Sequence, residues 1–80
     1  MILIEQIQAA RMLIGWTQSD LATASGVAVG TIKRLEAKRG PLGGAASTVW
    51  KIQSALENAG IDFISSGDGR GPGVRLRDPS

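Results

Sequence analysis

The chain has 80 residues, 42% of them hydrophobic and 20% charged, with nine Lys+Arg against seven Asp+Glu for a net charge of +2. At this length a fold buries only about 60% of its unfolded surface, so one small domain is the limit. Cysteine and histidine are both absent, which excludes disulfide staples, zinc-finger spacings, Cys or His nucleophiles and bases, and an imidazole pH switch. Asp20, Glu36 and Glu57 lie on separate segments without paired-carboxylate or metal spacing, so no catalytic residue, no metal and no cofactor are expected.

Met1-Ile2-Leu3-Ile4 is an apolar run that stops at Glu5 without a basic segment before it. No secretory signal is therefore expected, nor any span of the ~20 apolar residues that cross a bilayer. The expected location is cytoplasmic.

Ile4, Ile7, Ala10 or Arg11, and Ile14 recur at three- and four-residue steps, which predicts one face of a helix ending near Gly15. Thr17 caps a second helix over Gln18 to Ala24, broken at Ser25-Gly26. A third runs from Val29 to Ala37 with Ile32 and Leu35 inward. Arg39 to Gly44 is an irregular connection rich in Gly and Pro. Ser47 is the expected cap of a fourth helix that turns Val49, Ile52 and Leu56 inward and stops at Gly60. Trp16 and Phe63 are expected in the core, and Trp50 either lies partly covered at the surface or meets a second copy.

The last twenty residues change character. Ile61 to Ile64 and Val74 to Arg77 read as strands of a β-hairpin. Ser65 to Gly73 between them is too polar and Gly-rich to pack, and a long loop is expected there. It lacks the GxGxxG or P-loop spacing of a phosphate cradle. The chain thus divides into a helical domain over 1–60 and an extension over 61–80.

Charge is unevenly placed. Residues 61–80 balance, and the net +2 lies in residues 1–60. Lys33, Arg34, Lys38 and Arg39 fall within seven positions. Alone, such a cluster is a solvated helix end; beside a nucleic-acid-binding motif it becomes a phosphate-facing patch.

That motif lies at Gln18 to Leu35. Two short helices meeting steeply require a small residue inside the first (Ala22), a turn residue that tolerates positive φ (Gly26), and apolar anchors under the second (Ile32, Leu35). Leu21 and Val27 fill the space between. Together these constraints describe a helix-turn-helix. The run Arg11-Met12-Leu13-Ile14-Gly15-Trp16-Thr17-Gln18, with Leu21-Ala22, Gly26-Val27, Thr31-Ile32 and Leu35-Glu36, resembles the Cro/cI-type (XRE) helix-turn-helix family over about residues 3 to 58. The resemblance implies a mainly α, lambda-repressor-like bundle of four or five helices, here with a short C-terminal β-hairpin. Its third helix would enter the major groove of double-stranded DNA, usually as a homodimer.

Carried onto this chain, the resemblance gives Gln18 a phosphate contact and places Val29, Gly30, Lys33 and Arg34 on the outward face of the recognition helix. It makes Arg11 and Glu36 a structural ion pair. Thr31, Lys38, Arg39 and the start of the fourth helix are expected to hold phosphates. Three positions depart from the family pattern: Ala28 stands where a Ser or Thr usually caps the recognition helix, and Val29 and Gly30 replace long polar readers. Base readout would then rest on Lys33 and Arg34, and modest specificity per half-site is expected.

The function implied is a sequence-specific transcriptional regulator, most simply a repressor. The alternatives are an antitoxin-like or adaptor module whose tail grips a protein partner, and a protein-binding helical domain without DNA contact. Residues 61–77 either dimerise the protein, with Ile61 and Phe63 adding a strand to a partner's sheet, or pack across its own fourth helix.

Overall fold

A computed structural model describes residues 2–77. Four helices, α1 (Ile4–Leu13), α2 (Gln18–Ser25), α3 (Val29–Glu36) and α4 (Ala46–Asn58), precede an antiparallel hairpin of β1 (Ile61–Ile64) and β2 (Gly73–Leu76). The expected carboxy-terminal residues 78–80 lie outside the described part.

Each helix contributes its apolar stripe to one centre. Ile7, Leu21, Ile32, Ile52, Leu56 and Ile61 are all essentially inaccessible to water, and Ala10, Val27 and Ala55 complete the cluster. Five of the six elements are thus represented by a large aliphatic side chain, each worth about 1.5–3 kcal/mol when fully buried. Trp16, Leu35, Phe63 and Val74 pack against the rim of this core and stay half-buried. The two aromatics therefore close the core's edge and do not fill it.

The fourth helix begins earlier than its sequence suggests. Ser47 is not the cap: Ala45 is, in extended backbone with φ −63° and ψ 139°, and it makes no side-chain cap bond. Gly44, at φ 107°, turns the chain sharply enough that the Ala45 carbonyl already meets Thr48 and Val49, whose amides donate to it at 3.0 and 3.1 Å. Ser47 is left in the first turn, exposed. Val49 is only half-buried; Ala55 takes a share of the inward face with Ile52 and Leu56.

The connection 39–44 is irregular, as its composition implies, but it is tied down. Ile4 N–H donates to the Gly40 carbonyl and Leu42 N–H to the Ile2 carbonyl, both at 2.8 Å, with Leu3 facing Pro41 as a single bridge.

The hairpin packs on its own helices. Ile61 enters the core, and the register pairs Ile61 with Leu76, Asp62 with Arg75, Phe63 with Val74 and Ile64 with Gly73. The second strand therefore ends one residue before Arg77. Gln6 fastens the ribbon to α1: although 95% buried, its side chain is satisfied, donating to the Gly73 and Ile64 carbonyls at 2.9 and 3.3 Å and accepting from Leu3 N–H at 2.7 Å. Arg77 clamps the base, its amide donating to the Gly60 carbonyl at 2.6 Å and its guanidinium to the Glu57 carbonyl at 3.0 Å.

The stretch from Ser65 to Gly73 is not a shapeless loop. Gly67 and Arg70 exchange both backbone hydrogen bonds at 2.9 Å around Asp68 and Gly69, which take φ of 51° and 74°. Positive φ at both central residues is the mark of a two-residue type I′ turn, for which Asp-Gly is a favoured pair. The ladder lapses only between this turn and the named strands, where Pro72 has no N–H to give.

Candidate nucleic-acid interface

The pair α2–α3 is held by local chemistry at three points. Thr17 caps α2 reciprocally: Asp20 N–H donates to Thr17 Oγ1 at 3.0 Å, and Thr17 N–H to Asp20 Oδ2 at 2.9 Å. Gly26 ends α2 in left-handed backbone at φ 74°, its amide donating to the Ala22 carbonyl at 2.9 Å. Leu21 and Val27 then lock the turn into the core. Ala28 precedes α3 without any side-chain cap bond. The first α3 amides that find protein carbonyls are those of Thr31 and Ile32, so the amides of Val29 and Gly30 point out of the helix start, free for water or an anion.

Arg11, Gln18 and Glu36 meet in one network behind this surface. Arg11 grips Glu36 bidentately, Nε to Oε2 at 2.8 Å and Nη2 to Oε1 at 2.6 Å, and donates through Nη1 to the Trp16 carbonyl at 2.9 Å. The side chains are 14% and 5% exposed, so this is a partly desolvated fork-to-fork pair joining α1 to the end of α3. Gln18 Nε2 donates to Glu36 Oε1 at 3.2 Å. One amide proton of Gln18 is thus turned inward, and the other and the backbone N–H remain at the surface. Gln8 is a member that sequence patterning does not reveal, donating to the Glu36 backbone carbonyl at 2.8 Å. Its one signal is that it precedes Arg11 by a helical turn on the same face.

The outward face of α3 carries Gly30, Lys33 and Arg34, all exposed, with Val29 and Thr31 half-buried beside them. Arg34 Nη2 rests 3.2 Å from Thr31 Oγ1, which fans the guanidinium along the helix. A Cβ built on Gly30 meets nothing within 4 Å, so the centre of this face is open. Between α3 and the start of α4 lies a groove of about 440 Å³ bordered by Thr31, Arg34, Leu35, Lys38, Ala45 and Thr48. Two cations, Arg34 and Lys38, and two hydroxyls, Thr31 and Thr48, line it, a donor set suited to a phosphate group.

Arg39 stands apart from that groove, exposed on the connection to α4. Gly40 N–H beside it donates to Glu5 Oε1 at 3.1 Å. The Glu5 carboxyl is held below its usual range by backbone amides, its own first and Gly40's next, which outweigh the opposing desolvation, with Arg39's charge the smallest contribution. Of the eight residues expected to touch DNA, Gln18 thus lies at one end of the surface, Val29 to Arg34 at its centre, and Lys38 and Arg39 at the other end.

A family model for the Helix-turn-helix proteins of Cro/cI type matches residues 7–58. The chain belongs to this helix-turn-helix family. Its members are DNA-binding regulators, and the match runs from within α1 to the end of α4, leaving the hairpin outside it. No curated protein matches the chain. Among the described residues no helix is long and apolar enough to cross a membrane, and no group of acidic side chains could hold a metal ion.

Proposed function

We propose that this helix-turn-helix protein is a sequence-specific transcriptional repressor that lays α3 in the major groove of its operator. The supporting observation is a single continuous surface. Lys33 and Arg34 stand unobstructed on α3, flanked by free amides at the starts of α2 and α3 and by the Arg34–Lys38–Thr48 groove. Arg34 is suited to the O6 and N7 atoms of guanine, Lys33 to a second base or a phosphate, and Val29 to a thymine methyl. Gln18, Thr31, Lys38 and Arg39 hold the backbone and so fix register without reading sequence. With two long readers per copy, useful specificity requires two copies on a two-fold operator, half-sites about 34 Å apart.

The test is a salt titration of binding to DNA from upstream of its own gene and to random DNA. Log affinity falls linearly with log salt, and Lys33→Ala with Arg34→Ala removes the preference for the cognate duplex. Salt-independent affinity, or a double variant that binds like wild type, overturns the reading.

Trp50, 68% exposed on α4, favours one further role, contact with a protein, either a second copy or the partner of an antitoxin-like adaptor. Sedimentation of wild type and Trp50→Lys separates them: self-association lost in the variant identifies the copy.

A further inference from the structure

The hairpin does more than cover the core. From its base at Gly60 and Arg77 it runs back along α4. Phe63 and Ile64 share a cleft with Val49 and Gln53, and Pro72 to Val74 border Leu3, just before α1, and Gln6 on it. The ribbon is therefore antiparallel to α4, and its turn emerges where α4 begins. At that same end the Ile2–Ile4 segment is bonded to Gly40 and Leu42, next to Lys38 and Arg39. Three residues per strand separate Ser65 and Pro72 from the turn, a reach of about 10 Å at strand rise.

The chemistry of that projection is narrow. Between Ser65 and Gly73 the one long side chain is Arg70, among glycines at 67, 69, 71 and 73. Arg70 is exposed, and among the described residues no carboxylate pairs with it; Arg75 and Arg77 by contrast share Asp62 at 3.6 and 3.2 Å. Phosphate-rich surface at the end of the molecule that bears Lys38 and Arg39 would meet this guanidinium next. The two-stranded ribbon is too wide for a groove about 6 Å across, but the single Arg70 side chain at its nearly side-chain-free tip is not, and narrow A·T minor grooves draw guanidinium groups by their negative potential. Asp68, also exposed at the turn, opposes this.

We infer that the hairpin tip is a second DNA-binding element, with Arg70 entering the minor groove beside the segment read by α3. The inference rests on the DNA-binding reading above. It is tested with the full chain by fluorescence anisotropy on a duplex the protein selects from a random pool, rebuilt with A·T or G·C flanks. Wild type prefers the A·T flanks, and Arg70→Ala abolishes that preference, weakens binding by roughly three- to tenfold and lowers the salt slope by about one. Asp68→Asn keeps a turn-forming pair and strengthens binding. Both positions are exposed, so an unchanged thermal midpoint confirms the variants are folded. If Arg70→Ala matches wild type while Lys33→Ala with Arg34→Ala loses binding, the tip is not an element and the regulator reading stands. Equal weakening on both flanks overturns the groove assignment. Absence of salt-dependent binding by wild type overturns both readings together.

Discussion

Arg11, Gln18 and Gln8 all donate to Glu36, and its carboxylate is nearly enclosed, at 5% side-chain exposure. Arg11 supplies both strong donors, so Arg11→Ala leaves a buried carboxylate with only Gln18 to satisfy it. Breaking such a pair from one side costs about 3–5 kcal/mol, against total stabilities of about 4–12 kcal/mol for a chain of this size. Arg11→Ala is therefore expected to shift the urea midpoint sharply downward or unfold the protein at 37 °C. Gly30 provides the opposite case. It is the second residue of α3, with open space where a Cβ would go, so Gly30→Ala should stabilise in the same measurement by less than the about 1 kcal/mol of a helix interior. The Arg11/Glu36 pairing was legible through the family resemblance, with which the place of each charge beside an apolar stripe agrees. The roles of Gln6 and Gln8 were not, because their partners are backbone carbonyls of distant segments that only the folded chain brings near.

At the scale of elements, helix periodicity located all four helices, and turn chemistry located their ends where a capping side chain or a left-handed glycine marks them. Thr17 and Gly26 are such ends; Ala45 is not, since its turn is set by Gly44 and no polar cap marks it. The same contrast explains the hairpin. Short β-type runs, the second cleanly alternating, located both strands, but the Asp68-Gly69 turn was hidden by the surrounding glycines, which make the whole stretch read as loop. Gly26 gives a clean test of the helix-turn-helix angle. An alanine there must hold φ near 74°, at a cost of about 1–2 kcal/mol. Gly26→Ala should lower stability by that amount, and Gly26→Asn by less, as asparagine tolerates left-handed backbone. Equal losses would mean that φ is not what limits this position.

For the whole molecule, the hairpin cannot be treated as a detachable tail. Cutting the chain at Gly60 removes Ile61 from the core and strips buried Gln6 of both its acceptors, so a change of oligomeric state after truncation would confuse unfolding with lost dimerisation. Surface substitutions at Trp50 or Arg70 avoid this. Composition also governs the response to pH. With no histidine, the chain lacks the side chain whose ordinary titration falls between about pH 5 and 8. The pKa of the Glu5 carboxyl is lowered in the folded state by backbone amides, its own first and Gly40's next, with Arg39 adding less. A lowered folded value means that its contribution is present above the unfolded value and is lost as pH falls through the folded one. It bridges α1 to the Gly40 connection, so its protonation loosens the tie between the amino-terminal segment and the loop bearing Arg39. Thermal midpoints of wild type and Glu5→Gln should therefore differ at neutral pH and converge in acid, below the ordinary carboxylate range. A difference that persisted unchanged into acid would show that the Glu5 charge does not stabilise this connection.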